Sequence, residues 1–181
     1  MDRTNFFDAT LRVLHVAPEF CLISRFTKLQ NLDYVTVDLS SRLALVKMDL
    51  RNLGFSDSSF DCVICCHVLE HVPEDRIAIR ELFRVLNPGG YAIIQSPIDL
   101  TCESTSEDPS LDPAERSRLF GQADHVRIYG RDYSGRLESA GFIVKVDAYA
   151  KALGTSTIEK FRLSEDERIY FCVKPNQTSR G

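Results

Sequence analysis

Residues 60–68 read FDCVICCHV, apolar at every position except Asp61 and His67. A run with no polar alternation cannot lie on a sheet that keeps one face wet. It is also far shorter than the roughly 20 residues a helix needs to cross a bilayer. It fits a strand buried on both faces, as in parallel sheets whose two sides are covered by helices. A chain holding one such strand must supply others to pair with it and helices to pack above and below.

The rest of the sequence supplies them in alternation. LRVLHVA (11–17), DYVTVDL (33–39), YAIIQSPI (91–98), IVKVDAY (143–149) and RIYFCVK (168–174) read as further strands. Between the first two, EFCLISRFTKL (19–29) spaces Phe20, Ile23, Phe26 and Leu29 for a helix turned against the sheet. EDRIAIRELFRVL (74–86) puts Ala78, Leu82, Val85 and Leu86 on one stripe, and NPGG (87–90) is expected to stop it. GRDYSGRLESAGF (130–142) carries Tyr133, Leu137 and Ala140 on one face, with Gly141 as its cap. The expected fold is one α/β domain over residues 1–174 with right-handed crossovers, followed by a frayed tail at 175–181.

Charge and cysteine content narrow the function classes. With 26 acidic and 22 basic residues the chain carries a net charge of −4, so it has no general attraction for nucleic acid or anionic membranes. The amino-terminal MDRTNFFDAT lacks the basic-then-apolar order of a signal peptide. Cys62 and Cys65 have C-x-x-C spacing, but a strand would point them to opposite faces, which argues against a zinc or redox site. Reduced thiols in a cytoplasmic protein are expected. From Asp99 to Asp124 the chain turns polar, with one helix signal where Asp112 precedes Pro113. This insert leaves from the sheet edge where open α/β folds bind ligands, so it reads either as a lid or as a solvated loop.

The segment DLRNLGFSDSSFDCVICCHVLEHVPEDRIAIRELFRVLNPGGYAIIQSP (49–97) carries a resemblance. An acidic strand end, then F-x-x-x-x-F-D, then HVLEHV, then L-x-P-G-G is similar to the class I S-adenosylmethionine-dependent methyltransferases of the type 11 group. The resemblance spans about Leu11 to Lys174. It implies a Rossmann-like, doubly wound, seven-stranded, mostly parallel sheet, with the last strand antiparallel and inserted beside the fifth. It implies that Asp38 takes the ribose hydroxyls, with Leu39 beside it. Asp49 would accept from the adenine amino group, Leu50 would lie beside the ring, and His67 and Val68 would line the methionine part. Bland alternatives stay open: Asp38 as a solvated strand end, Asp49 as a turn cap.

The first turn departs from the family's acidic-x-glycine-x-glycine pattern. His15, Ala17 and Glu19 hold those three places, with Pro18 between the last two. The helix that follows is still expected to offer N–H groups and its positive dipole end to a carboxylate. The chain enters its first strand after about ten residues, where many relatives have further helices. The expectation is a more open site, closure by the insert at 99–124, or closure by a partner subunit; a truncated or degenerate enzyme stays open, as does a homo-oligomer.

Candidate chemistry clusters after the strand at 60–68. Glu70, His71 and His125 are the candidate catalytic residues, with a histidine as general base. The same three are candidate ligands for a divalent metal, because H-x-x-E-H and the later D-H resemble metal-binding segments of ubiquinone-biosynthesis and small-RNA 2′-O-methyltransferases. Glu70 and His71 as helix caps or sheet braces is the alternative, and Arg127 and Tyr129 read equally as acceptor contacts or packing residues. The reading is S-adenosylmethionine-dependent O-methylation of a small molecule, which would enter between the insert and the ends of the fourth and fifth strands. A non-catalytic binding or assembly module with a degenerate cofactor site is the alternative. A nicotinamide-dependent oxidoreductase fits worse, since the glycine fingerprint is absent.

Overall fold

The structure, a computed structural model, describes residues 4–176. Its strands are β1 (Leu11–Val16), β2 (Leu32–Asp38), β3 (Val46–Lys47), β4 (Phe60–Cys66), β5 (Leu86–Gln95), β6 (Ser106–Glu107), β7 (Arg127–Ile128), β8 (Ile143–Asp147) and β9 (Ile169–Val173). The main sheet has seven strands in the order β3-β2-β1-β4-β5-β9-β8, and β6 pairs only with β7. Pairing is parallel from β3 through to β5, whereas β9 runs antiparallel to both β5 and β8. The helices are α1 (Phe20–Phe26), α2 (Asp75–Val85), α3 (Pro113–Phe120), α4 (Tyr133–Glu138) and α5 (Thr155–Phe161). No helix among the described residues is long and apolar enough to cross a membrane.

β4 is buried as its sequence demands. Val63 and Cys65 join one core cluster with Leu82, Val85, Tyr133 and Leu137 from α2 and α4. Cys62 and Ile64 join another with Phe6, Val13 and Phe26 on the opposite face. The two cysteines of the C-x-x-C spacing therefore point apart, all six cysteines are free thiols, and burial pushes Cys62 up to about 12. Phe20 departs from its expected place, with 71% of its surface exposed. Helix α1 starts at Phe20 itself, and Phe26 at its far end is the residue that packs, against Phe6 and Tyr34.

The stop expected at NPGG is also corrected. Helix α2 ends at Val85, and Leu86 is already extended. Residues 87–90 lie inside β5 as a bulge: the register steps from Phe60↔Leu86 to Cys62↔Tyr91, so four residues face Asp61 alone. Gly90 is required there, since a Cβ would stand 2.9 Å from the Asp61 carbonyl oxygen. The helix end is satisfied by Lys174, whose ammonium donates to the carbonyls of Phe83 (2.9 Å) and Leu86 (2.7 Å). Of the tail expected to fray, residues 177–181 lie outside the described residues. Helix α3 begins as read, with Asp112 accepting from the N–H groups of Ala114 and Glu115.

The polar insert is stitched to the domain by buried charges. Asp75, Arg127 and Arg136 are each at most 6% exposed. Arg136 donates to Asp75 (2.7 Å) and to Glu107 of β6 (3.0 Å), while Arg127 reaches Glu107 with Nε (2.9 Å). Tyr129 donates its hydroxyl to Asp75 at 2.7 Å. Arg127 and Tyr129 are thus packing residues and not acceptor contacts. Asp75→Ala leaves two buried guanidinium groups short of a counter-charge and should cost about 3 kcal/mol in urea unfolding. The arginines, Arg136 first, hold Glu107 at about 2 against an ordinary 4.5. The Glu107 charge therefore adds stability above pH 4.5 that is lost as pH falls towards 2, and Glu107→Gln should flatten that part of a thermal-stability profile.

Candidate functional site

The turn after β1 is built on a left-handed residue. Ala17 has φ +48°, a region that costs a residue with a Cβ on the order of 1 kcal/mol. Its N–H still donates to the Val37 carbonyl at 2.8 Å, which ties the turn to β2. Beneath it, His15 is wholly buried, with Nδ1 2.6 Å from the Tyr34 hydroxyl and Nε2 2.9 Å from Glu19 Oε2. Burial pushes His15 down and the Glu19 carboxylate opposes this; burial and Glu19 both push Tyr34 up. Helix α1 has seven residues with Glu19 as its N-cap, and the Glu19 side chain makes no capping hydrogen bond there but turns to His15.

Ala17, Asp38, Leu39, Asp49, Leu50 and Val68 line one cleft of about 160 Å³ at the carboxyl ends of β1 and β2, together with Met48 and His71. Asp38 Oδ1 accepts from the N–H groups of Ser40 (2.7 Å) and Ser41 (2.6 Å), which fixes the carboxylate at the strand end. Asp49 is more heavily engaged. Arg51 donates to both of its oxygens, and those side-chain bonds are the main reason its pKa lies below the ordinary value. Arg51 continues to Glu74 at 2.6 Å. Pro18 and Glu19 do not line this cleft, and neither does His67.

The chain divides at the end of β4. His67 has φ +56°, the left-handed region again, and its N–H is held by the Gln95 carbonyl at 2.9 Å. Val68 lines the first cleft, whereas His67 lines a second, wider one of about 350 Å³ with Ser96, Ile98, Leu100, Arg168 and Tyr170. Glu70 and His71 follow in a single 3₁₀ turn. Arg127 holds that turn by donating to the carbonyls of Leu69 (2.7 Å), Val72 and Pro73 (2.8 Å). The Val126 N–H donates to the Glu70 carbonyl at 2.9 Å, which brings the neighbouring His125 alongside.

Glu70, His71 and His125 are therefore assembled as expected, each offering one ligand atom within 4.8 Å of the others. Glu70 is 1% exposed; Oε2 accepts from Ser96 at 3.0 Å, and Oε1 has no hydrogen-bond partner among the described residues. His125 Nδ1 lies 2.9 Å from the Phe120 carbonyl and donates to it, which leaves Nε2 unprotonated in the neutral ring. His71 Nδ1 lies 3.3 Å from Asp124. Arg51, Ser96, Asp124 and Arg127 are participants that sequence reasoning missed as such. Ser96 is the first residue past β5, as His67 is past β4, although the sequence pattern keeps it inside the strand at 91–98.

Residues 6–94 match the methyltransferase-domain family. The 27-O-demethylrifamycin SV methyltransferase of Amycolatopsis mediterranei is 28% identical over 134 residues, 68% of this chain and 46% of that protein. A sterol 24-C-methyltransferase of Aspergillus fumigatus is 42% identical over 52 residues, 29% of this chain and 14% of that protein. The chain thus spans less than half the length of these relatives. In fold it is similar to an S-adenosylmethionine-dependent methyltransferase from Mesorhizobium loti, with a TM-score of 0.64, 16% identity and 92% of each chain covered. Strain at the first turn is directly testable. Ala17→Gly should raise unfolding stability by about 0.5 kcal/mol and Ala17→Val should lower it by about 2 kcal/mol in chemical denaturation.

Proposed function

We propose that this chain, a class I methyltransferase fold whose residues 6–94 belong to the methyltransferase-domain family, transfers a methyl group from S-adenosylmethionine to an oxygen of a small molecule. The observation that carries the reading is the convergence of Ala17, Asp38, Leu39, Asp49, Leu50 and Val68 on one cleft at the carboxyl edge of the sheet. Those side chains fit the cofactor. Asp38 has a second oxygen, Oδ2, that accepts no hydrogen bond among the described residues and suits a vicinal diol. Leu39, Met48, Leu50 and Val68 make apolar walls for a flat ring. When bound, the cofactor supplies a methyl group already activated as a sulfonium, so the protein's task is positioning and proton removal.

The acceptor takes the second cavity, beyond the division at His67 and Val68, and residues 99–124 serve as its cover. Leu100 in the cavity wall supports that assignment. Glu70, His71 and His125 lie between the two sites: His71 lines the first, while Ser96, bonded to Glu70, lines the second. An imidazole there accepts the hydroxyl proton, and Glu70 offsets the charge that results. Oxygen as the methylated atom is favoured by the name of the longest-matching relative reported above.

A second reading adds a divalent ion on Glu70, His71 and His125. Glu70 Oε1, which makes no hydrogen bond among the described residues and stands 3.5 Å from His67 Nδ1, and the carbonyl that fixes the His125 tautomer both fit a ligand set of one carboxylate and two imidazoles. Such an ion would lower the pKa of a hydroxyl bound beside it. Methyl transfer from radiolabelled cofactor to a panel of hydroxylated small molecules tests the function. Asp38→Ala should weaken S-adenosylhomocysteine binding about tenfold. His71→Ala and His125→Ala should lower kcat about 100-fold with cofactor affinity retained, and an equal loss of both would assign them to structure. On the second reading, activity lost to a chelator returns with added zinc.

A further inference from the structure

The second cavity opens where the ladder between β5 and β9 breaks off. The two strands pair from Tyr91↔Val173 to Ile93↔Phe171 and no further, although β5 runs on to Gln95 and β9 begins at Ile169. The Gln95 side chain takes over. Its Nε2 donates to the Arg168 carbonyl at 2.8 Å, and its Oε1 accepts from the Tyr170 N–H at 2.7 Å. Both backbone groups are thereby satisfied without another rung of the sheet. Counted on by three residues, the same register would set Ser96 against Arg168, and both line the cavity. Ser96 donates to the buried Glu70 at 3.0 Å. One strand end therefore leads to the candidate catalytic cluster, and the one facing it carries a guanidinium.

The charged side chains Asp166, Glu167 and Arg168 all line this cavity, and they are not equally free. Asp166 is paired with Lys151 at 3.5 Å, and Glu167 Oε1 accepts from Gln95 Nε2 at 3.4 Å. The exposed Arg168 guanidinium has neither an ion pair nor a hydrogen bond among the described residues, while its backbone is pinned by Gln95. Burial pushes the Tyr170 hydroxyl up; of the two charges acting on it, Arg168 opposes this more strongly than Glu167 reinforces it. The cation thus dominates at the aromatic wall, and Pro97, Ile98 and Leu100 add apolar surface. Such a cavity suits a ligand with an anion at one end and a hydroxyl at the other. The neighbouring Glu167 charge weighs about twice as heavily against a dianionic phosphate as against a singly charged carboxylate. We propose that Arg168 receives a carboxylate of the acceptor, which is therefore a hydroxylated carboxylic acid with an apolar frame between the two groups. The inference rests on the acceptor assignment above and names the acceptor's class. Arg168 sets specificity and takes no part in the transfer itself.

Ligand-observed NMR titration in the presence of S-adenosylhomocysteine compares 4-hydroxybenzoate and 4-hydroxycinnamate with their neutral amides. Each acid should bind at least about tenfold more tightly than its amide. Arg168→Gln should bring each pair within about twofold, with amide binding unchanged as the control for an intact cavity. Arg168→Lys, which keeps the charge and loses the planar fork, should retain part of the preference. Amides that bind as tightly as the acids, an acid preference that survives Arg168→Gln, or binding of none of the four probes would overturn the inference. An equal loss for acid and amide in Arg168→Gln would also overturn it, making Arg168 a structural residue of the wall. Methyl-transfer assays on acids and neutral hydroxylated molecules keep the two readings apart. Methylation without preference for acids overturns this inference alone, whereas methylation of no member overturns the acceptor assignment with it.

Discussion

Arg127 is the contact on which the candidate site depends. Its guanidinium donates to three carbonyls of the turn that carries Glu70 and His71, and to Glu107, which belongs to the insert. A planar cation with five donors in a fixed fork can satisfy that many acceptors at once, as lysine could not. Because Arg127 lies two residues after His125, the same clamp sets the distance between the third histidine and the other two residues of the cluster. Asp75 and Arg136 complete the charge balance, so the cluster is held by a buried ionic network that reaches from α2 to α4. Burying this much charge is expensive, and it is tolerated because almost every donor finds an acceptor.

Much of the fold was legible because burial on both faces writes itself into β4 as an unbroken apolar run. The strand ends were legible too, and Asp38, Leu50 and Val68 meet in one cleft because each lies at or just past the carboxyl end of a strand or turn. What escaped notice depended on partners distant in sequence. The NPGG segment looks like a helix stop when read locally, yet Lys174 caps the helix and Asp61 opposes the bulge. Arg127 reads equally as an acceptor contact or a packing residue until Glu107, twenty residues earlier, is seen beside it. The short helix α5 and the two-residue strand β3 carry too little periodicity to announce themselves.

The altered first turn shows the same division. Composition reveals that glycines are missing and that His15 and Glu19 stand in two of the motif's places. Only the structure shows that these residues answer each other, the histidine from inside and the carboxylate from above. It also shows that Ala17 keeps the left-handed backbone that a glycine would adopt without strain. The turn has thus kept its shape and changed its charge. Asp49 is a milder case: its carboxylate is present but already bound to the Arg51 guanidinium.

The claim at the centre of this account is that the cleft between Ala17, Asp38, Leu50 and Val68 holds the cofactor. A crystal structure of the protein grown with S-adenosylhomocysteine tests it most directly. The account predicts density in that cleft, with the ribose hydroxyls at Asp38 and the adenine beside Leu50. Density confined to the cavity of His67 and Tyr170, or none at saturating ligand, would contradict it.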